Sequence, residues 1–221
     1  MTGRSVLFRV DGGNTVGLGH IMRCLALARR LKANGVQCRF LSRASGTIAR
    51  LLTPEGFPLV QVNPTLAETD VFEKVEESIA SNPVDALIVD LPDDLSDADA
   101  EDYASLPMPL VLFDDHGPVV YYASLVINAI AHQDQLDGRY RQTPHIHEGA
   151  EYIILDTAFS ANTRSFERSQ QTSVLIAMGG TDPHNITTKA AKALADLPTN
   201  VNVHALLGPA FAHRDEVYAL Q

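Results

Sequence analysis

The chain has 221 residues, 45% of them hydrophobic, enough for one large domain or one and a half ordinary ones. It contains no run of about 18 apolar residues, which excludes a hydrophobic membrane-spanning helix and indicates a soluble globular protein. The formal net charge of −10 argues against nucleic acid, which selects basic surfaces, and two cysteines are too few for a disulfide frame.

Met1-Thr2-Gly3-Arg4 leads straight into a short strand, so no signal peptide is expected and the expected compartment is the cytoplasm. Cys24 and Cys38 then read as reduced packing residues. The apolar run 5–10 predicts a buried first strand. After a glycine-rich turn, Ile21, Leu25, Ala28 and Leu31 recur at helical spacing, and Asn34-Gly35 ends that helix. Residues 36–41 predict a second strand, followed by the polar loop Ser42-Arg43-Ala44-Ser45-Gly46 at its carboxyl end. A helix over 47–52 is broken by Pro54-Glu55-Gly56, and a third strand follows over 58–62. A helix over about 65–80 turns Leu66, Val71 and Val75 inward. The continuous apolar strand 85–89, bounded by Asp90, suits a parallel sheet buried on both faces.

A helix is expected near 97–106, with the acidic run from Asp93 to Asp102 as its solvated start and face. Strands over 109–113 and 125–128 come next, and His145-Ile146-His147 reads as an exposed loop feature. The alternation predicts a doubly wound, Rossmann-like α/β domain with a parallel sheet over 1–158 and a polar linker over 159–171. An incomplete second α/β domain is expected over 172–221: strand 173–178, loop 179–183, helix 185–197 and strand 201–207. Asp182 and Pro183 have the pattern of a helix N-cap and first turn. With 49 residues from Ser173 onward and one full helix, that second unit is small to be stable alone.

The chemistry-bearing stretch is Arg9-Val10-Asp11-Gly12-Gly13-Asn14-Thr15-Val16-Gly17-Leu18-Gly19-His20-Ile21-Met22-Arg23-Cys24-Leu25. Gly17 and Gly19 allow a tight turn and close approach to a ligand, and the loop delivers His20 to the first turn of a helix. Arg23, three residues on, shares its face. Free N–H groups and the positive dipole end there favour an anion and disfavour an imidazolium, so a neutral, base-competent His20 is expected near pH 7. The six-residue Rossmann glycine pattern is not met, and no Gly-Lys-Ser/Thr of a P-loop follows. The negative net charge repels an anionic ligand at long range, so its binding needs local donors, among them Arg9, Arg23 and Arg43. Asn128 ends a strand facing the same crevice, and Gly179, Gly180 and the Thr181 hydroxyl offer donors to a diphosphate. Asp114-Asp115-His116 invites a metal or acid/base reading, but a structural or substrate-orienting role is preferred. His145 and His147 lack a third ligand in clear spacing, so neither a metal nor a cofactor is expected.

Arg-x-Asp followed by Val-Gly-x-Gly-His-x-x-Arg-Cys-Leu-x-Leu-Ala resembles the signature of the UDP-sugar hydrolases of pseudaminic acid biosynthesis, and equally that of the related spore-coat polysaccharide proteins. Both belong to the GT-B superfamily. Residues 110–115, 125–128 and 174–187 are similar to the same family in the same order. The resemblance implies a GT-B-like fold and a UDP-linked deoxy-diacetamido sugar as substrate. It further implies water attack at the anomeric carbon with departure of UDP, and no cofactor. It implies catalytic roles for His20 and Asp11, and substrate contacts from Arg9, Gly17, Gly19, Arg23, Asn128, Gly179, Gly180 and Thr181. In that family the second domain continues well past the position of Gln221. A GT-B glycosyltransferase and a non-catalytic nucleotide-sugar-binding remnant are the alternatives, and the oligomeric state stays open.

Overall fold

The computed structural model describes residues 3–13, 17–43, 46–93, 95–113, 120, 122–129, 145–159, 172–197, 201–208 and 211–220. Asn14, Thr15 and Val16 of the glycine loop, the Asp114-Asp115-His116 trio and residues 160–171 of the expected linker lie outside the described residues. By its contacts the chain divides into two compact units, one of residues 1–12 with 20–159 and one of 13–19 with 160–221.

The first unit is built on a seven-stranded, all-parallel sheet. Its strands are β1 (Ser5–Val10), β2 (Gln37–Arg43), β3 (Leu59–Val62), β4 (Ala86–Asp90), β5 (Leu110–Phe113), β6 (Leu125–Asn128) and β7 (Ile146–Glu148). Their order in the sheet is β3-β2-β1-β4-β5-β6-β7. The chain winds from β1 outward to β3, then returns to the other side of β1 to lay down β4. That reversal opens a crevice between the carboxyl ends of β1 and β4, where open α/β sheets bind ligands. The connecting helices are α1 (Gly19–Ala33), α2 (Gly46–Leu52), α3 (Glu68–Ser81) and α4 (Asp97–Ala104).

Strand alternation decides what each face carries. Leu7, Leu41, Leu87, Val89, Leu110 and Leu112 point to one face and meet Val71, Phe72 and Val75 of α3 and Ala100 and Tyr103 of α4. Phe8 and Phe40 point to the other, stacked with centroids 4.8 Å apart, and Phe57 meets Phe40 edge-on at 5.6 Å. Cys38 also faces that side, where its Sγ lies 3.8 Å from the Ala28 carbonyl of α1. Each such fully buried apolar side chain contributes about 1.5–3 kcal/mol.

Most expected elements occur with shifted ends, and one differs in kind. Residues 145–147 are not a loop feature: Ile146–Glu148 pairs in parallel with Val126–Asn128 and forms the seventh strand. The helix expected from 65 starts at Glu68, because Asn63 organises a turn first. Its Oδ1 accepts from the Thr65 N–H at 3.0 Å, and its carbonyl accepts from the Leu66 N–H at 3.2 Å.

The second unit holds β8 (Ser173–Ala177) and β9 (Asn202–Leu206), paired in parallel, with α5 (Ile186–Ala195) and α6 (Arg214–Tyr218). The helix expected over 185–197 runs over Ile186–Ala195, and Asp182-Pro183 does not form its first turn, since Asp182 and Asn185 both take positive φ, 42° and 52°. Asp182 still caps the helix from further back: its Oδ1 and Oδ2 accept the Ile186 and Thr187 N–H groups, each at 2.8 Å. Burial would push the Asp182 carboxyl up, but these two amides hold it below the usual carboxylate range. Leu175 of β8 and Leu206 of β9 are 68% and 65% exposed, whereas the apolar residues of β1 and β4 are buried or half-buried.

Candidate active site

Two polar clusters sit at the carboxyl edge of the first unit's sheet, on opposite faces, and strand parity separates them. Asp90 shares the parity of Ile88, so it points toward α1. Arg9 shares the parity of Leu7, so it points toward α3 and α4.

On the α1 face, Asp90 is fully buried and takes donors from one turn of helix. His20 Nδ1 lies 2.6 Å from Asp90 Oδ1. Arg23 forks onto the same carboxylate, Nη2 to Oδ1 at 2.6 Å and Nε to Oδ2 at 2.8 Å. The Cys24 Sγ approaches Oδ2 at 3.4 Å. Burial would raise the Asp90 carboxyl, yet the bonds from His20 and Arg23 outweigh it and hold the group below its ordinary range. Burial beside Asp90 pushes the Cys24 thiol well up, so it stays a thiol. An ionised carboxylate only accepts, so the contact at 2.6 Å places the ring proton of His20 on Nδ1. In the neutral ring Nε2 then carries the lone pair, and the His20 side chain is 27% exposed. Arg23 also lies over the Phe113 ring, 5.6 Å from its centroid.

On the other face, Arg9 is a fully buried cation. Its Nη2 donates to Asp11 Oδ2 at 2.8 Å and to Glu68 Oε2 at 2.9 Å, and its Nε donates to Glu68 Oε1 at 3.1 Å. Nη1 lies 2.7 Å from Asp11 Oδ1, in ion-pair range but outside hydrogen-bond geometry. Arg43 donates its backbone N–H to Asp11 Oδ1 at 2.8 Å, its Nη1 to Asp11 Oδ2 at 2.5 Å and its Nη2 to Glu68 Oε2 at 2.8 Å. The Tyr103 hydroxyl donates to Glu68 Oε1 at 2.8 Å. Two arginines and two carboxylates balance, and the cluster ties the ends of β1 and β2 to the first turn of α3. Burial would raise the Asp11 carboxyl, but the bonds and charges of Arg9 and Arg43 bring it down to about 2.

The residues singled out from sequence therefore fall into several groups. His20 and Arg23 come together around Asp90, a residue that the sequence marked only as a strand boundary. Asp11 and Arg9 come together on the opposite face. The carboxylate that orients His20 is Asp90 and not Asp11, whose oxygens are taken by Arg9 and Arg43. Arg9 is enclosed behind the crevice. Asn128 is fully buried at the end of β6, and its carbonyl accepts the Gly149 N–H at 2.9 Å.

The glycine positions belong to the second unit. Gly13 and Gly17 exchange both backbone hydrogen bonds at 2.9 Å, and Gly17 takes φ 90°. Gly19 is exposed at the start of α1. Gly179 turns with φ 75° after β8, and Thr181 is 9% exposed. The sequence reading passed over Gly208: a Cβ there would lie 2.6 Å from the Gly179 carbonyl oxygen and 2.5 Å from the Gly180 Cα. Gly208→Ala is expected to displace the 179–180 turn, costing about 1–3 kcal/mol. Faster amide exchange at Gly180 and a lowered thermal midpoint would register the displacement, and unchanged exchange would refute it.

Among the described residues no three or more His, Cys, Asp or Glu side chains are placed to hold a metal, and no helix is long and apolar enough to cross a membrane.

Comparison with known proteins adds distant relatives. The chain is 27% identical over 217 residues to an uncharacterized protein of Methanocaldococcus jannaschii, matching 94% of this chain and 43% of that protein. It is 26% identical over 211 residues to the spore coat polysaccharide biosynthesis protein SpsG of Bacillus subtilis, matching 94% of this chain and 60% of that one. The chain thus spans about half the length of these curated relatives. No protein-family model matches. Among solved structures, Acinetobacter baumannii MurG aligns over 98% of this chain and 63% of its own, with TM-score 0.64 at 16% identity. The architecture is a GT-B-like α/β fold.

Proposed function

We propose that the chain is part of an enzyme of surface-polysaccharide or nonulosonic (pseudaminic) acid biosynthesis. It releases UDP from a UDP-linked deoxy-diacetamido sugar by water attack at the anomeric carbon. The observation that carries the proposal is His20 at the topological switch point, its Nδ1 2.6 Å from an oxygen of buried Asp90. The likeness to the Bacillus subtilis spore coat polysaccharide protein supports a sugar-processing role.

In this reading His20 Nε2 takes a proton from water as the oxygen bonds to the anomeric carbon. The bond to the diphosphate oxygen breaks, and UDP leaves with the electron pair. Backbone donors at the start of α1, from Gly19 on, supply positive potential to the leaving group, with Gly17 shaping the turn before them. The 179–181 turn of the second unit offers further backbone donors of the kind a diphosphate takes. Asp11 and Arg9 hold the ends of β1 and β2 in place, and Arg23 acts through Asp90. A glycosyltransferase is the second reading, favoured by the GT-B-like fold. The same Nε2 would deprotonate an acceptor hydroxyl in place of water.

The test is UDP release from UDP-linked acetamido sugars without any acceptor. Release at a steady rate supports hydrolysis. Release that appears only when a hydroxyl acceptor is added supports the transferase, and UDP-sugar binding without turnover under both conditions rejects both.

A further inference from the structure

Asp90 alone would orient the His20 ring but would also draw a second proton onto it. A buried carboxylate 2.6 Å from an imidazole favours the protonated ring, and an imidazolium cannot accept a proton. Arg23 changes that balance. Its fork on both Asp90 oxygens satisfies the carboxylate, and its Nη2 stands 3.4 Å from His20 Nδ1. If Nη2 and Nδ1 both carry hydrogens, that approach is two donors side by side, so the guanidinium charge faces the ring. The third neighbour, Cys24, contributes a neutral thiol. His20, Arg23 and Cys24 come from α1 and Asp90 from β4.

We propose that Arg23 is a positioning residue that keeps His20 in service as a base, an inference that rests on reading His20 as the proton acceptor. It works in two ways. The fork fixes the plane of Asp90, which fixes the Nδ1–H tautomer and aims Nε2 outward. The charge offsets the pull of Asp90 on a second ring proton. A merely structural Arg23, filling space over Phe113 and neutralising a buried acid, would hold the fold without setting the titration of His20.

The experiment uses the full 221-residue chain and follows the His20 ring nitrogens by NMR against pH, beside the pH profile of UDP release. In the wild type the neutral ring should be the Nδ1–H tautomer. Arg23→Gln, which keeps hydrogen-bonding groups but no charge, should move the imidazole midpoint up by about one pH unit. The rising limb of the rate profile should move with it. Arg23→Lys, which keeps the charge and loses the fork, should move the midpoint by less than half as much. Asp90→Asn should move it down. The proposal is overturned by an Nε2–H tautomer in the wild type, or by an Arg23→Gln variant that folds and titrates as the wild type does. Should Arg23→Gln fail to fold, the opposite shifts of Arg23→Lys and Asp90→Asn decide, and equal shifts in both overturn it. If these shifts occur but His20→Asn releases UDP normally, the coupling stands and the functional reading fails. If His20→Asn is inactive but the midpoints do not move, the coupling fails alone.

Discussion

His20→Asn should lower UDP release by about 100- to 10,000-fold, the usual worth of a positioned general base, while leaving the fold and ligand affinity nearly unchanged. The side-chain amide of asparagine can still donate to Asp90, so the buried carboxylate keeps a partner on the side His20 occupied. It has no group able to accept a proton near neutral pH. The loss should therefore appear in kcat with KM little altered, the pattern of an interaction made only in the transition state. Circular dichroism and calorimetry with UDP establish that the variant is folded and binds. Wild-type release by such a variant would remove His20 from the mechanism.

The sequence and the structure agree most closely where local signals are strong. The first strand, Ser5–Val10, and the sixth, Leu125–Asn128, have the ends that their apolar runs predict. The α/β architecture follows from strand–helix alternation alone. β7 escaped because its three residues are half-buried at a sheet edge, with one aliphatic side chain followed by two polar ones, which leaves no periodicity to read. The start of α5 was legible to within one residue, but the place of Asp182-Pro183 was not: positive φ at Asp182 and Asn185 holds back the helical turn that Asp-Pro ordinarily opens. The site shows the same divide. His20 and Arg23 are legible together because helical spacing puts them on one face. Asp90 lies 70 residues from His20, and their meeting depends on β4 being laid beside β1. One signal was available: an aspartate with the parity of Ile88, closing an otherwise apolar strand, must be either solvated or paired. Parity also shows why Asp11 does not orient His20. It lies two residues past Arg9, on the side of the sheet that α3 and α4 cover.

The other large effect should come from that second cluster. Asp11→Ala leaves two arginines, one of them fully buried, facing the single carboxylate of Glu68. Removing one partner from a buried, balanced set leaves an uncompensated charge, expected to cost about 3–5 kcal/mol. That is a large share of the roughly 5–15 kcal/mol that holds an ordinary domain together, so the variant should unfold at much lower urea than the wild type. The same carboxylate predicts a pH signature. Its folded value of about 2 lies below the 3.8 of the free side chain, so its stabilisation is complete above that unfolded value and is lost as pH falls toward 2. A shift of that size corresponds to about 2 kcal/mol. Other carboxylates held low, Asp90 among them, steepen the acid limb of the wild type as well. The difference between the wild type and Asp11→Asn isolates the one group. Urea denaturation of both from pH 6 to pH 2 should show their stabilities converging by about 2 kcal/mol as the wild-type carboxylate protonates. Parallel curves across that range would mean that Arg9 and Arg43 do not hold Asp11 ionised, and the cluster would lose its role as the clamp on β1 and β2.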